Sequence, residues 1–166
     1  MYKIRDFYYK NVYDVKGKKI GVVEDLFIDF FEGKIMGIKV ATHKLFSKKN
    51  YIPIDNIIEI GSEIIALKLD EYSGLEFKTI KNMEVLNLFG ETKGVLEDII
   101  IDARDYCIKG LIISSGIIDR LLNGKEILLI KECVLGEKYI LYSGKGRIKL
   151  KTMPHRLEKQ YEIQKA

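Results

Sequence analysis

Short apolar runs, broken by glycine, asparagine and charged residues, occupy most of the chain, and sustained helical periodicity is nearly absent before the last segment. That is the pattern of an all-β protein. Strands are predicted at residues 21–29, 35–41, 51–53, 57–60 and 64–69, and again at 94–102, 108–114, 127–130 and 139–142. From Thr152 onward, Met153, Leu157 and Tyr161 recur every fourth residue among charges, which predicts a short amphipathic C-terminal helix capped by Thr152, with Pro154 in its first turn.

The two sets of strands begin alike. Gly-Lys-Lys-Ile-Gly-Val-Val-Glu-Asp-Leu-Phe-Ile-Asp from Gly17 returns as Gly-Glu-Thr-Lys-Gly-Val-Leu-Glu-Asp-Ile-Ile-Ile-Asp from Gly90. Gly21/Gly94, Val22/Val95, Glu24/Glu97, Asp25/Asp98, Ile28/Ile101 and Asp29/Asp102 stay in register, so the chain is a tandem duplication and each copy is expected to fold by the same rules. The expected division is 1–76 for copy one, 77–151 for copy two and 152–166 for the helical tail. Residues 71–76 form the junction. Val22, Leu26 and Ile28 are expected to sit like Val95, Ile99 and Ile101. Since Val23 and Phe27 alternate with them, both faces of the first long strand need cover. Gly33 suits the left-handed backbone of the first hairpin turn; copy two has Tyr106 there, and Asp105 is the neighbour expected to take that conformation instead.

The repeated residues resemble the PRC-barrel family, small β-barrels whose pattern runs from a glycine-bearing turn through Gly-x-Val-x-Asp into an apolar strand, a hairpin, an Ile-Pro-Ile segment and an Ile-Gly turn. Copy one supplies Gly17, Gly21, Val23, Asp25, Ile28, Asp29, Ile52-Pro53-Ile54 and Ile60-Gly61. Copy two supplies Gly90, Gly94, Leu96, Asp98, Ile101, Asp102 and Leu135-Gly136, and departs at Ile127-Leu128-Leu129, where the proline is missing. The resemblance implies two tandem barrels and a docking or assembly role, as in a reaction-centre subunit, a ribosome-maturation factor and small proteins of spore-forming bacteria.

Composition narrows the chemistry. Hydrophobic residues make up 47% and charged residues 31% of the chain, proportions that support a folded core. The net charge of +4 is shared by both halves and does not mark a dedicated nucleic-acid arm. Cys107 and Cys133 lie in apolar runs, which reads as buried small hydrophobes rather than a disulfide framework. His43 and His155 have no cysteine or carboxylate at ligand spacing. Neither a nucleophile elbow nor a phosphate loop is present. A cytoplasmic, non-enzymatic protein without cofactor or membrane insertion is the expectation.

Glu24-Asp25 and Glu97-Asp98 are the repeated acidic pairs. Neighbours on a strand face opposite ways, so each pair cannot converge on a substrate without a bulge, whereas Asp25 and Asp29 are expected to share a face. Their expected role is to accept backbone hydrogen bonds. Lys145, Arg147, Lys149 and Lys151 would line one face of a strand, either as a phosphate-binding stripe for RNA or a ribosome, or as a solvated edge that discourages aggregation. Where the copies diverge after the second strand, Ile117, Ile118, Leu121 and Leu122 would form one stripe of a short helix, with Leu45 and Phe46 the smaller counterpart in copy one. That stripe either covers its own barrel or binds a protein partner or a second copy.

Overall fold

A computed structural model of the protein describes residues 1–42, 49–114, 125–144 and 148–150. The expected tail helix lies outside the described residues, as do Leu45, Phe46 and the stripe from Ile117 to Leu122.

After β1 (Tyr2–Lys3) and a 3-10 turn at Ile4–Asp6, copy one runs through β2 (Asn11–Tyr13), β3 (Lys19–Asp29), β4 (Lys34–Thr42), β5 (Tyr51–Pro53), a 3-10 turn at Ile54–Asn56, β6 (Ile57–Ile60) and β7 (Ile64–Ala66). Then come β8 (Leu75–Glu76) and a one-turn helix, α1 (Phe77–Ile80). Copy two repeats the series as β9 (Glu84–Asn87), β10 (Thr92–Ile101), β11 (Ile108–Ser114), β12 (Lys125–Leu129), a 3-10 turn at Ile130–Glu132, β13 (Cys133–Leu135) and β14 (Tyr139–Tyr142), followed by β15 (Ile148–Leu150).

Two sheets result, and they have the same strand order. Copy one reads β5-β4-β3-β2-β7-β6 and copy two β12-β11-β10-β9-β14-β13, with β15 added beyond β12. Within each, the first short strand pairs parallel with the last, β2 with β7 and β9 with β14. The matched strand order bears out the duplication. The all-β reading holds, with α1 and the 3-10 turns as the departures. β2, β9 and β13 were not among the expected strands.

One detail of the repeat corrects the sequence reading. In both copies the long strand slips register twice against its hairpin partner, between Val23 and Asp25 and between Phe27 and Ile28 in copy one, and between Leu96 and Asp98 and between Ile100 and Ile101 in copy two. A β-bulge inserts a residue and shifts the inside-outside alternation. Val23, Leu26 and Ile28 therefore join the core, as do Leu96, Ile99 and Ile101. Val22 is half-buried and Val95 is 37% exposed, so this matched pair lies at the margin of the core in both copies. The slip between Phe27 and Ile28 parts Asp25, which is buried, from Asp29, which is half-buried.

The copies also exchange their opening segments. β1, which precedes copy one, pairs with the far half of β10, Tyr2 opposite Ile101 and Lys3 opposite Ile100. β8, which precedes copy two, pairs with the far half of β3, Leu75 opposite Ile28 and Glu76 opposite Phe27. These are equivalent residues of the repeat. Behind them Ile4 and Phe7 are buried, and so are their counterparts Phe77 and Ile80, all within one hydrophobic cluster that spans both sheets. A third contact lies on the pseudo-twofold axis itself: Lys34 bridges Cys107, the Ile35 N–H donates to the Tyr106 carbonyl at 3.0 Å and the Ile108 N–H to the Gly33 carbonyl at 2.7 Å.

Each buried side chain of this size contributes roughly 1.5–3 kcal/mol, so four exchanged apolar residues bind the copies into one cooperative unit. Ile4→Ala is expected to cost about 2–5 kcal/mol in urea denaturation. Its lost hydrogen-exchange protection should include β10, across the repeat, and the whole chain should still unfold in one transition.

Candidate functional site

Asp25 and Asp98 are buried, and each accepts from the segment the other copy contributes. The Lys78 N–H donates to Asp25 Oδ2 at 2.9 Å and the Tyr8 hydroxyl to Asp25 Oδ1 at 3.1 Å. The Ile4 N–H donates to Asp98 Oδ1 at 3.0 Å, with the Ile99 N–H on the same oxygen at 2.8 Å and the Arg5 guanidinium 3.7 Å from Oδ2. The carboxylates thus fasten the exchanged turns to the long strands. Burial raises both carboxyls above the ordinary value of 3.8, although the N–H donors pull the other way. The Tyr8 hydroxyl is pushed far up, first by burial and then by the Asp25 charge.

A bulge does intervene between Glu24 and Asp25, yet the pair divides its work. Glu24 faces cations, 4.0 Å from Lys39 Nζ and 3.9 Å from Lys78 Nζ, and Glu97 pairs with Lys125. Asp29 Oδ1 accepts the Glu32 N–H at 2.8 Å in its hairpin turn. Its counterpart Asp102 is held well below the usual carboxylate range, first by the Arg104 side chain and then by the Arg104 N–H. These geometries agree with a backbone-accepting role for the aspartates.

The two hairpin turns on the pseudo-twofold axis have diverged. Gly33 has φ 63° and Tyr106 has φ 54°. Tyr106, not Asp105, takes the left-handed conformation, and Asp105 instead accepts the Cys107 N–H at 2.9 Å. A tyrosine in that region is strained, and its carbonyl, which accepts the Ile35 N–H across the axis, helps hold it there. Around Tyr106 the turn is charged, with Arg104 3.1 Å from Asp102 and Lys109 3.4 Å from Asp105. Around Gly33 the turn carries Glu32 and Lys34 beside an apolar pair, Phe30 and Phe31. Phe30 enters the core, while Phe31 is 96% exposed.

Beside that turn lies a groove of about 540 Å³ between the copies, walled on one side by Phe30, Phe31 and Gly33 and on the other by Ile130, Val134 and Leu135. Val134 is 62% exposed. Strand β13, which supplies this second wall, ends its sheet among the described residues. The Ser143 N–H donates to the Glu132 carbonyl and the Gly136 N–H to the Tyr139 carbonyl, so alternation turns the Leu135 N–H and C=O toward the open edge. Copy one's matching edge, β6, carries a register slip between Ile57 and Glu59, a feature that discourages pairing. β13 has none. Burial pushes the Cys133 thiol up to about 12, with the Glu132 charge second, so this cysteine is a protonated wall of the groove rather than a nucleophile.

The sequence reading missed this groove. Its signal was Phe30-Phe31 at a hairpin tip, an apolar pair where turns are ordinarily polar. Of the residues singled out for binding, Ile117, Ile118, Leu121, Leu122, Leu45 and Phe46 lie outside the described residues, as do Lys145, Arg147 and Lys151 and the two histidines. Lys149 is placed by backbone alone, opposite Glu126 in β15.

Because Asp25 and Asp98 have raised values, the folded chain holds their protons more tightly than the unfolded chain, and their contribution to stability falls as pH rises from the ordinary carboxylate value through the raised one. Urea denaturation at pH 4 and pH 7 should show this. The stability of wild type relative to an Asp25→Asn/Asp98→Asn variant is expected to be more favourable at pH 4. Asp98→Ala, which leaves the Ile4 donor buried without an acceptor, should cost about 1–3 kcal/mol at either pH.

Among the described residues, no helix is long and apolar enough to cross a membrane, and no grouping of three or more histidine, cysteine, aspartate or glutamate side chains could hold a metal ion. No curated protein matches the chain. The PRC-barrel domain model matches twice, over residues 1–71 and 74–153, in agreement with two sheets of one strand order. The chain belongs to the PRC-barrel domain family, in two tandem copies.

Proposed function

We propose that this protein is a non-enzymatic scaffold or adaptor of the cytoplasm, built from two PRC-type barrels locked together, and that it assembles protein partners. The groove between Phe31 and Val134 carries this reading. Single exposed apolar residues are common on soluble proteins, but here two exposed ones flank an apolar groove and an unbulged sheet edge. That combination suits an extended partner segment, whose backbone would pair with β13 while alternate apolar side chains enter the groove. Divergence of the two turns confines the surface to one side, so a pseudo-symmetric molecule would bind its partner once.

Phe31→Ser and Val134→Lys both alter exposed positions, so their melting temperatures should stay within a degree or two of wild type. Crosslinking and affinity capture from native cytosol should show the same protein retained by wild type and lost from both variants. Unchanged capture by both variants would overturn the assignment of the groove.

A further inference from the structure

The outer faces of the two sheets differ at one matched place. In copy one, Phe27 and Tyr51 are covered by Tyr72, whose ring stacks on Tyr51 with centroids 4.5 Å apart and meets Phe27 edge-on at 5.1 Å. Tyr72 follows closely on Asp70, which bridges Tyr51 through reciprocal backbone bonds of 3.1 and 2.7 Å. Copy two keeps the frame of this arrangement. Ile100 stands for Phe27, and Ile127 for Tyr51, each of the latter pair two residues before the end of the strand that leads into a 3-10 turn. Ile148 pairs with Ile127 as Asp70 pairs with Tyr51.

Over this second frame lies a half-open cavity of about 540 Å³, lined by Met1, Tyr2, Ile100, Gly110, Ile127 and Ile148 among others. A Cβ on Gly110 would come within 2.7 Å of Ile127 Cγ2 and 2.9 Å of the Leu128 carbonyl oxygen, so a side chain there would force its neighbours apart. The floor is therefore kept flat, as it is at Gly37 beneath Tyr51. The chain reaches Ile148 on the cavity wall and continues for sixteen residues beyond Leu150, Lys151 to Ala166, with Met153 its first apolar side chain.

We propose that segment 151–166 docks back into this cavity, laying Met153 over Gly110 and Ile127 as Tyr72 lies over Tyr51. The repeat supports the choice of occupant. In copy one the cover comes two residues after the bridging position; in copy two that count falls on Leu150, still paired in β15 opposite Lys125, so the next apolar residue along the chain, Met153, is the candidate cover. Sixteen residues far exceed the span required, since even three extended residues reach about 10 Å. Methionine, unbranched and polarizable, fills an irregular apolar space without a ring's shape requirements. Docking is intramolecular, so the tail competes at high effective concentration with any outside ligand. The site is separate from the groove at Phe31 and Val134.

Methyl NMR on the full chain tests this directly. Cross-relaxation between the Met153 ε-methyl and the δ1-methyls of Ile100 and Ile127 is expected, unchanged on tenfold dilution, and Met153→Asp should shift the Ile100 and Ile127 signals while leaving those of Ile4 and Ile80 in place. A Met153 methyl at its solvent-exposed shift with no cross-relaxation to these isoleucines would overturn the proposal. So would contacts seen only between differently labelled chains, which would assign the cavity to a second copy.

Discussion

Two buried aspartates, each accepting the backbone of a segment that arrives from the other half of the repeat, are the constraint from which the architecture follows. A carboxylate taken out of water is costly unless donors meet it, and in each copy the donors are main-chain N–H groups at the start of a one-turn element, Ile4 for Asp98 and Lys78 for Asp25. Those elements carry Ile4 and Phe7, or Phe77 and Ile80, into the shared core. Each aspartate also has a donor from its own copy, Ile99 for Asp98 and Tyr8 for Asp25, but the remaining donor, and the cover of the long strand, come from the other half. Two modules near the lower size limit for independent folding thereby become one unit, as an exchanged dimer would, with the two subunits joined in a single chain.

That constraint also explains where the copies are free to differ. The long strands, their bulges and the aspartates are shared, whereas the axis turns and the outer faces, which bear less of the exchange, have drifted. Gly33 and Tyr106 occupy one backbone conformation with different surroundings, Phe30 and Phe31 beside the groove and the Arg104–Asp102 and Lys109–Asp105 ion pairs on the other side. Outside the sheets, Tyr72 covers copy one, while the matching frame of copy two borders a cavity walled by Ile148. Function on such a scaffold is expected at the asymmetries, because a site placed on the symmetric parts would occur twice.

The duplication, the all-β class and several strand limits were legible in the sequence, since they rest on repeated glycines and alternating apolar runs. Residues 51–53, 57–60, 108–114 and 139–142 were read at the limits observed. The expectation that Asp25 and Asp29 share a face failed because a bulge leaves no local mark: Phe27 and Ile28 look like ordinary strand residues, and only pairing reveals the slipped register. The exchange was illegible for a similar reason. Tyr2-Lys3 and Leu75-Glu76 are too short to read as strands, and their partners lie about one hundred residues away for the first and about fifty for the second. The aspartates were correctly read as backbone acceptors, but the donors could not be named, because they come from the opposite copy. Asp105 was expected to take the left-handed turn on intrinsic preference; the bond across the axis to Ile35 gave that place to Tyr106 instead.

Native-state hydrogen exchange at the Ile4 and Lys78 amides tests the exchange most directly. Both amides sit close to the start of a short element, where a locally held turn would fray. Fastened to Asp98 and Asp25 across the repeat, they are expected to exchange only when the whole chain unfolds, with the same denaturant dependence as the core amides of Leu26 and Ile99. Exchange of Ile4 and Lys78 at a rate insensitive to denaturant, while Leu26 and Ile99 remain protected, would show that the turns detach without unfolding the sheets and would contradict the account.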